Sequence, residues 1–328
     1  MPLVTSYDVL KPALAGGYAV GAFNANNLES VQATIKACEE HEAPVILQVS
    51  QGAIGYAGLE EASAIVRIVA EKSKIPVVLH LDHGTSYEQN VQCLKAGFTS
   101  LMYDGSKEPY EVNVATSAEI ARMVHAVGLQ VECELGIIPK IEDFCTHEDL
   151  QPLLSGQVED VYACLTPEQI TKLQSCFTEP DQARDFWEKT SCDSLAVSVG
   201  AIHGMPAKGA HLDFDRLQAI MDRIPIPLVL HGSSGIAMED VRRACEMGIC
   251  KVNVATALSQ AFIQGIKEAL EQNPNEKDFR KVLGPAKEWI KREIEKYLPV
   301  FGCEGKAYTA GWMPAGPQAP KVAKESPE

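Results

Sequence analysis

Three histidines stand just after short apolar runs that are typical of β-strands. His83, His203 and His231 each follow a different run. If these runs are parallel strands of one barrel, their carboxyl ends lie at the same face, and the three imidazoles converge there. Three neutral imidazoles with an open fourth position form the ligand set of a catalytic zinc ion. The alternative is three separate buried histidines, each satisfied by hydrogen bonds, but their shared placement at strand ends favours a zinc site.

Carboxylates occupy similar positions in the pattern. Asp82 precedes His83, Asp104 ends the next run, and Glu132 and Glu134 share one face of the run after that. We expect Asp82 to be a general acid and base near the metal, the alternative being support of a ligand imidazole. Asp104 and Glu134 could hold a second cation or orient the histidines. Glu132 is interpreted as support for a ligand.

A turn rich in glycine and serine, HGSSG at 231–235, follows the seventh run. Such turns present backbone N–H groups at a helix N-terminus, where anions bind. In (β/α)8 barrels the loops after strands seven and eight form the usual phosphate site, and VNVATA at 252–257 is the second of these loops. Lys208 could add a cation, the alternative being a solvated loop lysine. The sequence therefore predicts phosphate binding here.

Two other basic side chains are expected to lie away from the site. His80 is at an odd offset from His83 on the same strand, so we expect it to face the helices. Lys251 lies at the start of the eighth run, away from the catalytic end. The sixth run, SLAVSVG, contains no lysine that could form an imine, so a metal electrophile is favoured over a Schiff base.

The elements that must position these residues alternate along the chain. Eight apolar runs are separated by amphipathic segments, and each run is continuously apolar, as expected of parallel strands buried on both faces. The runs are 18–24, 44–50, 76–83, 98–104, 130–136, 194–200, 227–233 and 250–256; amphipathic segments include 28–39, 59–71, 112–127 and 214–223. Eight strand–helix pairs predict an α/β protein, a closed (β/α)8 TIM barrel.

Two segments interrupt the alternation and one extends it. Segment 137–177, after strand five, is long for a barrel connection and typical of a lid or subunit contact, with a short helix at 166–174. Segment 279–301 predicts an extra helix that closes the barrel. No linker divides residues 1–307, which we expect to form a single domain, and 308–328 has the composition of a disordered tail.

Composition excludes several classes of protein. The 328 residues include 29 basic and 44 acidic side chains, a net charge of −15, so we expect binding neither to nucleic acid nor to anionic membranes. No apolar run approaches the roughly 20 residues that span a bilayer, and the N-terminus lacks a secretory pattern. The 10 cysteines form no C-x-x-C motif and are interpreted as reduced thiols. The predicted location is cytoplasmic.

Seven segments, matching in order, resemble the class II, zinc-dependent ketose-bisphosphate aldolases, which include the fructose- and tagatose-1,6-bisphosphate enzymes. They are YAVGAFNANN (18–27), PVILQVSQGA (44–53), PVVLHLDHG (76–84), VECELG (131–136), LAVSVGAIHG (195–204), PLVLHGSSG (227–235) and KVNVATAL (251–258). The likeness runs from residue 1 to about residue 307. It implies a homodimer or homotetramer that acts on a phosphorylated sugar.

The resemblance also implies roles for individual residues. His83, His203 and His231 would bind zinc, Asp82 would be the proton donor, and Asp104 and Glu134 would be ligands of a second metal position. The triose phosphate, beside a monovalent cation such as Na⁺ or K⁺, would be held by Gly204, Gly232, Ser234, Asn253 and Thr256, with Ser233 in the same turn and Lys208 nearby. Asn24 and Ser50 would contact substrate hydroxyls. Glu142 or Asp143 would exchange a proton with the enediolate carbon.

The implied reaction is reversible cleavage of a ketose 1,6-bisphosphate, of fructose or tagatose type, to dihydroxyacetone phosphate and an aldehyde phosphate. Two positions depart from the fructose enzymes' pattern: Ala255 stands where they place aspartate, and Ser259 where they place arginine. One alternative is therefore the same chemistry on another ketose 1-phosphate, such as a sulfonated or deoxy sugar acid. Another is a non-catalytic partner subunit. A zinc hydrolase of the amidohydrolase kind is disfavoured, because strand one has no H-x-H pair.

Overall fold

The computed structural model describes residues 3–205 and 207–308, and within them eight β-strands alternate with helices. The strands are β1 (Val20–Asn24), β2 (Val45–Ser50), β3 (Val77–Asp82), β4 (Leu101–Tyr103), β5 (Val131–Leu135), β6 (Ser194–Val197), β7 (Leu228–Leu230) and β8 (Ile249–Val254). The helices are α1 (Ser6–Gly16), α2 (Leu28–Glu40), α3 (Gln51–Ala57), α4 (Leu59–Ala70), α5 (Tyr87–Lys95), α6 (Tyr110–His125), α7 (Gln151–Leu154), α8 (Pro167–Gln174), α9 (Pro180–Thr190), α10 (Phe214–Met221), α11 (Met238–Met247), α12 (Thr256–Gln272) and α13 (Phe279–Phe301).

All strand pairs in the sheet are parallel, and the sheet closes on itself. Its order is β3-β2-β1-β8-β7-β6-β5-β4. The two edge strands meet through a parallel bridge between His80 and Ser100, supported by backbone hydrogen bonds from Thr99 to Leu79 (2.9 Å) and from Leu81 to Ser100 (3.1 Å). The prediction of a (β/α)8 barrel is confirmed, although β6 and β7 end at Val197 and Leu230, short of the predicted 200 and 233.

The barrel interior holds an apolar layer and a charged one. Met102, Ala196 and Val229 form a small buried cluster separate from the main core. His80, Glu132 and Lys251 are also buried, each at most 2% exposed. His80 Nε2 lies 3.6 Å from Glu132 Oε2, on a strand that is not adjacent in the barrel, so both side chains point inward.

The prediction that His80 faces the helices is therefore wrong. The offset argument assumed that regular strand alternation continues through His83. Instead β3 ends at Asp82, and His83 has a φ of 51°, which takes it out of the extended conformation. His80 and Asp82 share the inward face, because side chains two residues apart on a strand point the same way.

The long segment after β5 is folded and packed. It contains α7, α8 and 3₁₀ turns at Ile141–Asp143 and Val161–Cys164. Its buried apolar side chains, among them Phe144, Leu153, Val161 and Leu173, belong to the main core. Val161 N–H donates to Gly209 C=O (3.0 Å), which joins the segment to the loop after β6. The predicted short helix is present as α8.

The extra C-terminal helix is confirmed as α13, which packs against α12 and α2. The rings of Phe23 and Phe301 have centroids 6.5 Å apart, and Ala19 N–H donates to Phe301 C=O (2.9 Å), so α13 is fixed to the amino-terminal side of β1. The predicted tail lies, from residue 309 on, outside the described residues. Among the described helices, none has the length and apolar character of a membrane span.

Candidate active site

Three imidazoles converge at the carboxyl ends of the strands. His83 follows β3, His203 lies in the loop after β6, and His231 follows β7. Their ring centroids are 4.7 Å apart for His83 and His231, 5.5 Å for His83 and His203, and 6.2 Å for His203 and His231. Each ring offers a nitrogen, and these nitrogens all lie within 4.8 Å of one another. The sequence-predicted histidines are thus brought together.

Hydrogen bonds to carboxylates set which ring nitrogens carry protons. His83 Nδ1 lies 2.9 Å from Asp104 Oδ2, and His231 Nε2 lies 2.9 Å from Glu132 Oε1. A carboxylate only accepts, so both of these nitrogens are N–H donors. The other two nitrogens, His83 Nε2 and His231 Nδ1, face each other at 3.0 Å. Two lone pairs at that distance would repel, so the contact requires either a proton or a metal ion between the two nitrogens.

Among the three imidazoles, only His83 carries a positive charge at neutral pH. Burial lowers the pKa of His83, but Asp82, Asp104 and Glu134 outweigh it and raise that pKa to about 10. Burial and the neighbouring His83 lower the pKa of His203 to about 4, and they lower that of His231 as well. His203 and His231 therefore stay neutral, the state in which an imidazole can bind a metal, whereas His83 must lose its Nε2 proton to do so.

The loop after β5 positions His203. Its backbone N–H donates to Pro139 C=O (2.8 Å), and a parallel bridge pairs it with Lys140. Its ring also hydrogen-bonds the Ile138 backbone. The long segment after β5 therefore supports a residue of the histidine cluster directly.

A second group of donor atoms lies on the other side of His83. Glu134 Oε2 is 3.8 Å from His83 Nδ1, and with Asp104 these residues offer donor atoms within 4.8 Å of one another. Burial raises the pKa of Glu134 to about 8, and its Oε2 has no hydrogen-bond partner among the described residues. Burial opposes ionisation of Asp104, but hydrogen bonds from His83 and Ser106 lower its pKa. This is a second candidate cation position, and because it shares His83 with the first, the two are alternative positions for an ion.

Asp82 lies beside the histidines without belonging to either cluster. It ends β3, is 5% exposed, and its Oδ1 is 3.9 Å from His83 Nε2. Asn253 Nδ2 donates to the same oxygen (3.1 Å). Burial raises the pKa of Asp82, which brings it closer to the range useful for proton transfer at neutral pH.

The glycine-serine turn and the N-terminus of α12 line one pocket together with His83 and His203. Gly232 has a φ of 64°, and a Cβ there would come within 3.1 Å of Ile202. Ser233 Oγ donates to Asn253 C=O (2.7 Å), which links the two loops. The pocket is lined by Gln48, Asp82, His83, His203, Gly204, Gly232, Ser233, Ser234, Asn253, Val254, Ala255, Thr256 and Ala257.

Three other predicted binding residues already have partners. Asn24 Oδ1 accepts from Gln48 Nε2 (2.7 Å), Ser50 Oγ accepts from Ala53 N–H (3.3 Å) at the start of α3, and Lys208 Nζ donates to Ile236 C=O (2.7 Å). Gln48 was not predicted, yet it is buried and lines the pocket. A glutamine inside the apolar run PVILQVS was the available signal.

The two loop carboxylates differ in their contacts. Glu142 and Asp143 are both exposed in the 3₁₀ turn Ile141–Asp143. Asp143 Oδ2 accepts from Lys140 N–H (2.7 Å) and so caps its own turn. No side-chain hydrogen bond of Glu142 is found within the described part of the chain.

Comparisons with known proteins agree with this geometry. The family model described as fructose-bisphosphate aldolase class-II matches residues 4–306. A fructose-bisphosphate aldolase of Thermus caldophilus is 38% identical over 93% of this chain and 100% of the relative. The crystal structure of the YdjI aldolase from Escherichia coli K12 superposes with a TM-score of 0.76 at 30% identity, covering 93% of this chain and 100% of that one. The chain is therefore a lyase that belongs to the class II fructose-bisphosphate aldolase family.

Proposed function

We propose that this protein is a zinc-dependent aldolase that cleaves a ketose 1,6-bisphosphate, of fructose or tagatose type, reversibly to dihydroxyacetone phosphate and an aldehyde phosphate. The observation that carries the proposal is the convergence of donor nitrogens of His83, His203 and His231, all within 4.8 Å of one another, beside the buried Asp82 carboxylate. The name of the Thermus caldophilus relative supports the substrate class.

The metal would be held by His83, His203 and His231, with Asp104 and Glu134 offering a second position. A bound zinc ion would act as a Lewis acid that polarises the ketone and stabilises the negative charge left by C3–C4 cleavage. By the same resemblance, a monovalent cation, Na⁺ or K⁺, is proposed beside the substrate phosphate.

Asp82 would take the proton from the C4 hydroxyl during cleavage and return it during condensation. Its raised pKa, caused by burial, favours reversible proton transfer near neutral pH. The hydrogen bond from Asn253 (3.1 Å) holds the carboxylate in one orientation. A positioned acid–base group of this kind contributes about 10²- to 10⁴-fold in rate.

The triose phosphate would bind between the glycine-serine turn and α12. The 17-residue helix α12 begins at Thr256, inside the pocket wall, and its unpaired N–H groups attract anions. Gly204, Gly232, Ser233 and Ser234 line the same pocket, and their backbone N–H groups are proposed to bind the phosphate. Asn24 and Ser50, at the ends of β1 and β2, are proposed to contact the sugar hydroxyls.

Glu142 is proposed as the loop acid that exchanges a proton with the enediolate carbon. Asp143 already accepts the Lys140 N–H, whereas Glu142 is exposed in a turn whose preceding residue bridges to His203. Lys208, with its Nζ on the Ile236 carbonyl, stays a predicted phosphate contact.

An activity assay with and without metal tests the proposal. The protein is treated with a strong chelator, assayed with fructose and tagatose 1,6-bisphosphates, and reassayed after zinc is restored. We expect activity to disappear and return, and His203→Ala to remove it permanently. His147→Ala, on the exposed part of the loop, is the control that should not change it. Full activity in metal-free protein would contradict the zinc mechanism, and absence of bound metal would favour a non-catalytic subunit.

A second candidate is the same cleavage of a ketose 1-phosphate without a distal phosphate. The observation that favours it is that the pocket wall, as far as the chain is described, contains neither lysine nor arginine. Ala255 and Ala257 lie in that wall and present only methyl groups. Comparing kcat/KM for ketose 1-phosphates, including sulfonated and deoxy sugar acids, with that for the bisphosphates decides between the two. Preference for a bisphosphate would exclude this candidate.

A further inference from the structure

A buried ion pair lies inside the barrel below the histidine cluster. Lys251 on β8 is 1% exposed, and its Nζ is 2.8 Å from Glu132 Oε2 and 3.1 Å from Oε1. Glu132, on β5, is 2% exposed. Removing two charges from water is costly, and buried pairs are often no more stabilising than apolar residues of the same volume. Stability alone is therefore a weak explanation for this pair.

The pair contacts one imidazole of the cluster. Glu132 Oε1 accepts the Nε2–H of His231 at 2.9 Å. That bond fixes the tautomer and the ring orientation of His231, so that Nδ1 points to His83 Nε2 at 3.0 Å. Lys251 contacts both oxygens of the same carboxylate, which limits rotation of Glu132 about its last bond.

We propose that Lys251, acting through Glu132, is a positioning residue that orients His231 toward the metal. Three strands contribute: β8 carries the lysine, β5 the carboxylate and the end of β7 the imidazole. Outer partners of metal-binding histidines typically raise metal affinity by about 10- to 100-fold. This inference rests on the proposed metal site and concerns residues that do not themselves touch the ion.

The test is the zinc affinity of the folded protein, measured by competition with a chromophoric chelator, together with the visible absorption of the cobalt-loaded protein. Lys251→Met keeps a side chain of similar length and removes its positive charge. We expect zinc affinity to fall by about 10- to 100-fold and the cobalt spectrum to change. Lys291→Met is the matched control, because Lys291 pairs with Glu40 (2.7 Å) and Glu295 (2.5 Å) on the outside of the barrel. It should leave both readouts unchanged.

The outcomes separate this inference from the proposed function. If the wild-type protein binds no zinc, or if the His203→Ala variant binds zinc as tightly as the wild type, the proposed metal site itself is wrong. If the wild type binds zinc and Lys251→Met binds it equally tightly with an unchanged cobalt spectrum, only the positioning role is wrong. Should Lys251→Met fail to fold by circular dichroism, the double variant Glu132→Gln/Lys251→Met removes both charges and is measured in the same way. Unfolding of both variants would make the pair structural and overturn the inference.

Discussion

Asp82 provides the sharpest test at the scale of single residues. Its carboxylate is 3.9 Å from His83 Nε2 and lies outside both groups of metal-donor atoms. Asp82→Asn keeps the size of the side chain but removes the group that takes up the proton. We therefore expect kcat to fall by about 10²- to 10⁴-fold, with one zinc per chain retained in elemental analysis.

The control for Asp82 is a carboxylate far from the pocket. Asp185→Asn, on α9, removes a surface pair with Lys189 (2.7 Å) and should leave both kcat and zinc content unchanged. Loss of zinc from Asp82→Asn would instead assign Asp82 to support of the metal ligands.

The loop carboxylates form a matched pair for a second test. Glu142 and Asp143 lie side by side in one turn, but only Asp143 caps it, by accepting the Lys140 N–H at 2.7 Å. The variants to compare are Glu142→Gln and Asp143→Asn. We expect Glu142→Gln to slow hydrogen exchange into dihydroxyacetone phosphate by at least tenfold, within the range of general acid–base catalysis at roughly 10²- to 10⁴-fold. Asp143→Asn should slow it less. Exchange is followed by NMR in D₂O, and equal effects of the two changes would contradict the assignment.

At the scale of elements, the long segment after β5 should behave as a packed layer and not as a free loop. Leu153 and Leu154 are neighbours on α7, but they are 5% and 40% exposed. Leu153, the buried residue of the two, also lies against Gly209, where an added Cβ would come within 2.8 Å of Leu153 Cδ1. Leu153→Ala should lower the free energy of opening of the segment by about 2–5 kcal/mol, and Leu154→Ala by less than about 0.5 kcal/mol. Hydrogen exchange of residues 137–177 measures both, and equal protection in the two variants would show that the segment opens independently of this contact.

The elements show which features could be predicted from sequence. Continuous apolar runs predicted all eight strands, and polar residues at their ends predicted the cluster of His83, His203 and His231. Features set by a single dihedral or by long-range contacts could not be predicted. The φ of 51° at His83 ends the alternation of β3, so His80 points into the barrel. Lys251 pairs with Glu132 across the barrel, a contact between positions 119 residues apart that no local pattern encodes.

At the scale of the whole molecule, the charge distribution opposes the proposed substrate. The chain carries a net charge of −15, and a ketose bisphosphate is also an anion. The groups that could attract the substrate are local: a metal at the histidines and the N-terminus of α12. Three properties of the whole molecule stay predictions: its assembly as a homodimer or homotetramer, a single domain over residues 1–307, and a cytoplasmic location.

This opposition of charges predicts an unusual salt dependence. Raising the ionic strength from 0.01 to 0.1 M shortens the Debye length from about 30 to about 10 Å, which screens the distant acidic surface while leaving short-range contacts in the pocket largely intact. We therefore expect kcat/KM for the bisphosphate to rise severalfold over this range, the reverse of electrostatically steered enzymes, whose association slows with salt. Tetramethylammonium chloride, compared with sodium chloride at equal ionic strength, separates screening from a specific effect of Na⁺. A fall in kcat/KM in both salts would mean that the local field of the metal and α12, and not the net charge, governs the approach of the substrate.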